Sequence, residues 1–245
     1  MKWGSFGLVH LTSLAVGAAI IVGLYFALKK APQKVQKLVL GILSFSGMAA
    51  VVFNLVNWGS PLEYLPLHLC SINALILPFA VFTRSKTLGN LLLLWSLGAL
   101  AAVVVNTAQA DFEVFSATFC FYFFPHVLEF GIPILLFKLG LVEKDEKCIG
   151  TTLLITVATY TAIHFINMTI NVWCSAHEIL NTAGERLQVN YMYSLAPEIP
   201  LMQAFYDLIP YQYWYLYCVI PIVAVYLGIV YAPQLLRRMK KQKIA

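Results

Sequence analysis

Seven long apolar stretches alternate with polar connections along the chain. They cover approximately residues 6–28, 38–57, 66–82, 88–108, 117–138, 149–172 and 213–235. A helix rises about 1.5 Å per residue, so stretches of this length approach or match the roughly 30 Å thickness of a hydrocarbon core. The pattern predicts an all-α polytopic membrane protein, in which seven transmembrane helices form a single domain over residues 1–245.

The composition favours a membrane protein over a soluble domain. Hydrophobic residues make up 60% of the 245 positions and charged residues 11%, whereas soluble domains carry about a quarter charged residues. Basic residues at the ends of the apolar stretches explain the net charge of +5, so we expect no nucleic-acid partner. The five cysteines include no CxxC pair, which argues against a disulfide framework and leaves a pairing of Cys174 with Cys218 open.

The basic residues predict the orientation of the chain, because lysine and arginine concentrate in cytoplasmic connections. Lys2 and Arg186 fall on one side of the predicted bundle, and the remaining fourteen of the sixteen basic residues fall on the other. These fourteen are Lys29, Lys30, Lys34, Lys37, Arg84, Lys86, Lys138, Lys144, Lys147, Arg237, Arg238, Lys240, Lys241 and Lys243. We therefore predict an external N-terminus, a cytoplasmic C-terminus and a multi-pass protein of the plasma membrane.

The longest connection, residues 173–212, is predicted to lie outside. It is rich in tyrosine and proline, which is atypical of a disordered linker. We expect this outer loop to fold back over the mouth of the bundle, with Asn190 or Tyr191 approaching any site there.

Polar residues inside the apolar stretches converge on one depth. Ionisable groups within a membrane are costly and usually face the bundle interior, so each is a functional candidate. The set comprises Asn54, Asn57, His68, Cys70, Ser71, Asn73, Asn106, His126, Glu129, His164, Asn167 and Asn171. With the predicted orientation, all except Glu129 fall in the outer half, and Glu129 falls near the midplane. The sequence therefore predicts one polar pocket that opens towards the outer leaflet.

Within this pocket, three residues have the chemistry of a nucleophile and its base. His126 and Glu129 are spaced i, i+3 and share a helix face, so the carboxylate can orient the imidazole. Cys70 is the only cysteine embedded among these polar groups, and a thiol needs a nearby base to become a nucleophile. The alternatives are a packing role for the cysteine, interhelical hydrogen bonds for the histidines and asparagines, and axial haem ligation by histidine.

Three short motifs resemble a known family. They are Leu65-Pro66-Leu67-His68-Leu69-Cys70-Ser71, the Phe-Pro pair before His126, and Asn190-Tyr191-Met192-Tyr193. Together the chain resembles the YwaF family of bacterial integral membrane proteins. That family is similar to eukaryotic transmembrane protein 164, a phospholipid acyltransferase that uses cysteine and histidine, and distantly to the androgen-induced-gene hydrolases. The resemblance implies that Cys70 is the nucleophile and His126 the base, whereas Glu129 and His164 follow from their placement alone.

We therefore expect an enzyme, a membrane-embedded acyltransferase or lipid hydrolase that acts on lipid esters of the outer leaflet. Cys70, His126 and Glu129 are the expected catalytic residues. The expected substrate-contacting residues are His68, Asn73, Asn106, His164, Asn167, Asn190 and Tyr191. Membrane lipids are the expected substrates, with neither a cofactor nor a metal. The sequence leaves open the donor, the acceptor and the oligomeric state.

Two other classes compete with this hypothesis. A transporter or a binding protein for a lipid or small molecule would also need a polar pocket, although transport sites usually lie near the midplane between repeats. We see no internal repeat in this sequence. A haem protein would be revealed by its colour, and a retinal receptor is disfavoured because residues 213–235 contain no lysine.

Overall fold

The computed structural model describes residues 1–57, 60–105 and 109–242, with the side chains of 235 and 237–242 left aside. The described chain is helical throughout, apart from connections and two isolated β-bridges. The helices are α1 Leu8–Leu28, α2 Gln33–Asn57, α3 Leu69–Thr83, α4 Lys86–Val105, α5 Ala117–Lys138, α6 Cys148–Ala176, α7 Pro200–Leu208 and α8 Ile220–Gln242. The predicted all-α fold is confirmed.

Six segments are long and apolar enough to cross a membrane. They are α1, α2, α4, α5, α6 and Tyr215–Gln234, which joins a 3₁₀ turn to most of α8. Helices α1, α4, α5 and α6 begin and end within a few residues of the predicted stretches. Helix α8 begins seven residues later than predicted, because Tyr215–Val219 forms the 3₁₀ turn. The chain is therefore a multi-pass membrane protein.

The third predicted stretch forms a shorter helix than expected. Residues 66–68 are not helical, and His68, the N-cap residue of α3, is extended (φ −72°, ψ 152°). Helix α3 therefore has 15 residues, about 22 Å, which is less than the roughly 30 Å hydrocarbon thickness. It stops where Arg84 takes a left-handed conformation (φ 54°).

Helices α4 and α5 form the centre of the bundle. In their most apolar windows 56% and 61% of residues are buried, against 11% in α1, α6 and the last span, so these three are peripheral. Helix α5 packs against α1, α2, α3 and α4. Helix α1 approaches so closely that a β-carbon at Gly131 would lie 1.8 Å from the Ile21 Cδ1 atom. The centre of the bundle is thus rigidly packed around α5.

The N-terminal residues are fixed to the connection between α4 and α5. Trp3 is buried, and its amide donates to the Phe112 carbonyl at 2.8 Å. Lys2 forms an ion pair with Asp111 at 2.6 Å, and this pair lowers the pKa of the Asp111 carboxyl. The start of α1 and the end of α4 therefore lie at the same end of the bundle.

Candidate active site

Cys70 lies in the first turn of α3, at the point where the extended segment becomes helical. Its side chain is half-buried, like that of His68 two residues earlier. Because the short helix starts below the outer connection, the thiol lies inside the bundle at a helix N-terminus, where the partial positive charge favours an anion.

His126 lies on α5 with its imidazole fixed by the preceding turn. Its Nδ1 atom lies 2.6 Å from the Tyr122 carbonyl oxygen, which only accepts, so Nδ1 carries the hydrogen. The Tyr122 ring packs against the imidazole with a centroid separation of 4.3 Å. The other ring nitrogen, Nε2, is therefore the unprotonated one and is able to accept a proton.

The structure brings the three expected catalytic residues together. One ligand atom each from Cys70, His126 and Glu129, the thiol sulfur, a ring nitrogen and a carboxylate oxygen, lie within 4.8 Å of one another. Helices α3 and α5 pack directly against each other at this level. A thiol, an imidazole and a carboxylate at this separation can transfer a proton and stabilise the resulting charges.

The close approach of α2 fixes the Glu129 carboxylate. A β-carbon at Gly47 would lie 2.9 Å from Glu129 Oε1 and 2.5 Å from the Ala74 β-carbon. Asn73 is fully buried near the carboxylate but outside hydrogen-bond geometry. Glu129 Oε2 and both polar atoms of Asn73 have no hydrogen-bond partner among the described residues. Buried polar groups are normally satisfied, so these atoms point to a missing polar group such as water or substrate.

The outer loop covers the start of α3, in agreement with the predicted cap. Its 3₁₀ turn, Tyr191–Tyr193, places two tyrosine rings against the His68 ring at centroid distances of 5.5 and 5.3 Å. The Met192 amide donates to His68 Nδ1 at 3.3 Å. Tyr191 and His68 thus meet beside Cys70, whereas Asn190 bonds within the loop, to Glu198 and to the Ala196 carbonyl.

The polar residues of α6 hold this loop in place. Asn167 accepts from the Tyr191 amide at 3.0 Å and donates to the Tyr191 carbonyl at 2.8 Å and to the Ser194 hydroxyl at 3.0 Å. His164 Nδ1 lies 3.1 Å from the same hydroxyl, and Asn171 bonds both backbone groups of Val189. These side chains contact the loop, which lies between them and the start of α3.

Not every polar residue of the sequence analysis joins the site. Asn54 and Asn57 are exposed, and Asn57 donates to the Phe53 carbonyl of its own helix. Their inclusion in the pocket was wrong, because the α2 face that carries them points away from the bundle. Asn106 lies outside the described residues.

Three contributors to the site were not predicted from the sequence. Tyr122 lies one turn before His126 and fixes its tautomer, a role that the i−4 spacing could have revealed. Gly47 gave no signal, because its importance comes from contact between helices distant in sequence. Tyr193 is part of the motif that begins at Asn190, but the sequence assigned it no role. Burial, with smaller effects from Glu198 and Cys70, raises the pKa of Tyr193 to about 12, so its phenol stays a hydrogen-bond donor.

Cys70, His126 and Glu129 are also residue types that bind metal. A sulfur, an imidazole nitrogen and a carboxylate oxygen match the ligands of a three-residue zinc site with an open position. Metal analysis of the purified protein would separate this chemistry from a free thiol.

Comparison with known proteins agrees with this architecture. No curated protein and no solved structure is significantly similar to the chain. The model of the TMEM164 family matches residues 5–231, which include every described transmembrane helix except the last turns of α8. The chain belongs to the TMEM164 family.

Proposed function

We propose that the protein is a membrane-embedded acyltransferase or lipid hydrolase that works through a cysteine–histidine pair. The grouping of Cys70, His126 and Glu129 within 4.8 Å, beneath an ordered loop, carries this proposal. Membership of the TMEM164 family supports it, because the resemblance at the cysteine and histidine motifs implies the same two roles.

The reaction proceeds in two halves. His126 Nε2 takes the proton of the Cys70 thiol, and the sulfur attacks the carbonyl carbon of a lipid ester. When the carbon–oxygen bond breaks, the leaving alcohol takes the proton from His126 and the acyl group stays on sulfur as a thioester. A second lipid alcohol or water then attacks the thioester while His126 accepts its proton, and the thiol is restored.

Two buried side chains complete the proposed chemistry. The Glu129 carboxylate stabilises the imidazolium that forms in each half-reaction. The Asn73 amide has no partner among the described residues, so it can donate to the oxyanion of the tetrahedral intermediate. Asn167 and His164 already bond the outer loop, and we assign them to positioning this loop.

We propose that the chain crosses the membrane seven times, with α3 as the short third crossing. Arg84, after α3, bonds Gln33, at the start of α2, at 3.1 Å. Both segments lie at one end of the bundle, and α2 is long enough to cross, so a crossing by α3 brings the chain back to this end. The pairing of Lys2 with Asp111 supports an even number of crossings over α1–α4 in the same way. With the basic residues inside, the N-terminus is external and the C-terminus cytoplasmic, as in a YwaF-like protein of the bacterial plasma membrane.

The deciding experiment is the trapping of the thioester. Full-length protein in phospholipid nanodiscs is incubated with a phospholipid whose acyl chains are isotope-labelled, and intact and peptide masses are recorded. We expect one labelled acyl group on Cys70 that neutral hydroxylamine removes. Cys70→Ser should slow turnover strongly, because the hydroxyl has a much higher pKa than a thiol.

Cys120→Ser is the matched control, since Cys120 is also a half-buried thiol in the outer half of the bundle. It should keep both the adduct and the turnover. Full activity in Cys70→Ala would reject the cysteine mechanism and favour a binding or transport protein. Stoichiometric zinc in active protein would favour the metal-dependent alternative instead.

A further inference from the structure

A polar cavity lies at the opposite end of the bundle from Cys70. It has a volume of about 490 Å³ and is lined by Phe137, Lys138, Val142, Glu143, Lys144 and Gln234. Phe137 follows His126 by eleven residues on α5, so this inner cavity lies roughly 16 Å along the helix from the candidate active site. It therefore forms a separate site at the end that the proposed orientation places in the cytoplasm.

The lysines around the inner cavity differ in their partners. Lys86 pairs with Glu143 at 2.8 Å and with Asp145 at 3.1 Å, so one ammonium serves two carboxylates. In the part of the chain that the structure describes, neither Lys138 nor Lys144 pairs with a carboxylate. Three lysines therefore face two carboxylates around the cavity, and these five groups keep a net charge of +1.

The ammonium of Lys144 is held by neutral groups. Its ammonium donates to the Val230 carbonyl at 2.5 Å and lies 5.7 Å from the centroid of the Tyr231 ring. Burial and, to a smaller extent, the charge of Lys138 lower the pKa of Lys144. An anion between the two ammonium groups would relieve both effects.

Gln234 supplies an independent sign of an absent ligand. Its side-chain oxygen is buried in the cavity wall and has no hydrogen-bond partner among the described residues. Amide oxygen and nitrogen are interchangeable by rotation, so this side chain can instead present two N–H donors. An acceptor-rich anion would satisfy it.

We propose that the inner cavity binds the phosphate headgroup of an anionic membrane lipid, held by Lys138, Lys144 and the Gln234 amide. A lipid fits better than free phosphate because Phe137 and Val142 give the cavity apolar walls at the ends of α5 and α8. The neighbouring surface of α8 is apolar and exposed, with Ile229 at 72%, so acyl chains would continue along it. Basic pockets at cytoplasmic helix ends suit such headgroups.

The test measures lipid retention and needs no turnover. Purified full-length protein is titrated with short-chain phosphatidylglycerol, phosphatidylcholine or inorganic phosphate, and binding is followed by native mass spectrometry and by melting temperature. We expect one phosphatidylglycerol bound at least about tenfold more tightly than phosphatidylcholine. Lys138→Gln/Lys144→Gln should remove this preference, and Gln234→Ala, which keeps both charges, should weaken it several-fold.

The control is Lys30→Gln/Lys34→Gln, which removes two exposed lysines on the same side of the bundle. It should bind phosphatidylglycerol like the unmodified protein. An equal loss in this control would show general charge attraction, and preference retained by both cavity variants would place the lipid elsewhere. A matching stabilisation by inorganic phosphate would identify a free ion as the ligand. Each of these three results overturns the proposal.

Discussion

The geometry around Cys70 depends on how closely neighbouring side chains and backbones approach. His126 has a fixed tautomer because the Tyr122 carbonyl accepts from its Nδ1 atom. Glu129 can reach the imidazole because Gly47 leaves space for its carboxylate between α2 and α5. Removal of a hydrogen-bond partner or addition of a methyl group should therefore alter this site more than comparable changes elsewhere.

Gly47→Ala should destabilise the protein and impair the site. The added β-carbon would collide with Ala74 and with Glu129 Oε1, and such overpacking typically costs about 1–3 kcal/mol. Melting temperature and turnover in nanodiscs measure the two effects. Gly23→Ala is the control, since its β-carbon would meet nothing within 4 Å. Similar melting temperatures for both variants would contradict the proposed packing.

Glu129→Gln should separate the role of charge from that of shape. The amide keeps the size of the side chain but cannot stabilise an imidazolium, so we expect turnover to fall roughly tenfold or more, with the melting temperature little changed. The rate of Cys70 alkylation by a small thiol reagent should fall in parallel, since it reports the thiolate. Unchanged alkylation and turnover would assign Glu129 to packing.

The sequence predicted the site best where a residue is both reactive and placed inside an apolar stretch. Cys70, His126 and Glu129 were identified because rare polar groups within apolar stretches must face the interior. Gly47 could not be identified, because a glycine in a membrane helix carries no information about which helix packs against it. Asn54 and Asn57 were misplaced because their position along the apolar stretch does not tell which helix face points into the bundle.

Among the elements, the outer loop is the most strongly constrained. Met192 and Tyr193 are consecutive non-glycine residues with positive φ angles of 53° and 56°, each costing about 1 kcal/mol or more. Hydrogen bonds donated by the side chains of Asn167, Asn171 and Tyr215 hold the backbone around them. The sequence indicated a cap through its tyrosines and prolines, but these side-chain-to-backbone bonds depend on the fold.

Asn167→Ala should release this loop. The change leaves the Tyr191 amide and carbonyl without a partner, whereas the Ser194 hydroxyl keeps His164, and each buried unsatisfied group costs about 1–3 kcal/mol. Limited proteolysis should then cut within residues 180–205, and turnover should fall. Asn57→Ala, at the exposed end of α2, should change neither. A protease-resistant Asn167→Ala protein would show that other contacts suffice to hold the loop.

At the scale of the whole molecule, hydrogen bonds and ion pairs between connections constrain the topology. The link from Arg84 to Gln33 and the pairing of Lys86 with Asp145 lie at one end, and the pairing of Lys2 with Asp111 lies at the other. The apolar stretches predicted an all-helical fold with long membrane-crossing helices, whereas the short length of α3 followed from the extended backbone of His68 and from the loop packed on it.

Reporter fusions should give an alternating pattern along the chain. Fusions after Lys37, Lys86, Lys147 and Ala245 should report a cytoplasmic location, and fusions at residues 63 and 183 an external one. The physical reason is the confinement of nearly all basic residues to one side. The fusion at residue 63, before α3, tests whether α3 crosses the membrane, and the fusion at residue 183, after α6, tests the same for α6. A cytoplasmic signal at residue 183 would place the outer loop on the wrong side.

The position of Cys70 below the loop has a consequence for how substrate reaches it. The peripheral helices α1, α6 and α8 expose apolar surface around the bundle, so a lipid can arrive by diffusing sideways in two dimensions. The concentration that governs the rate is then a mole fraction among the surrounding lipids, and the volume of the aqueous phase has no influence. The protein would sample the composition of its own leaflet.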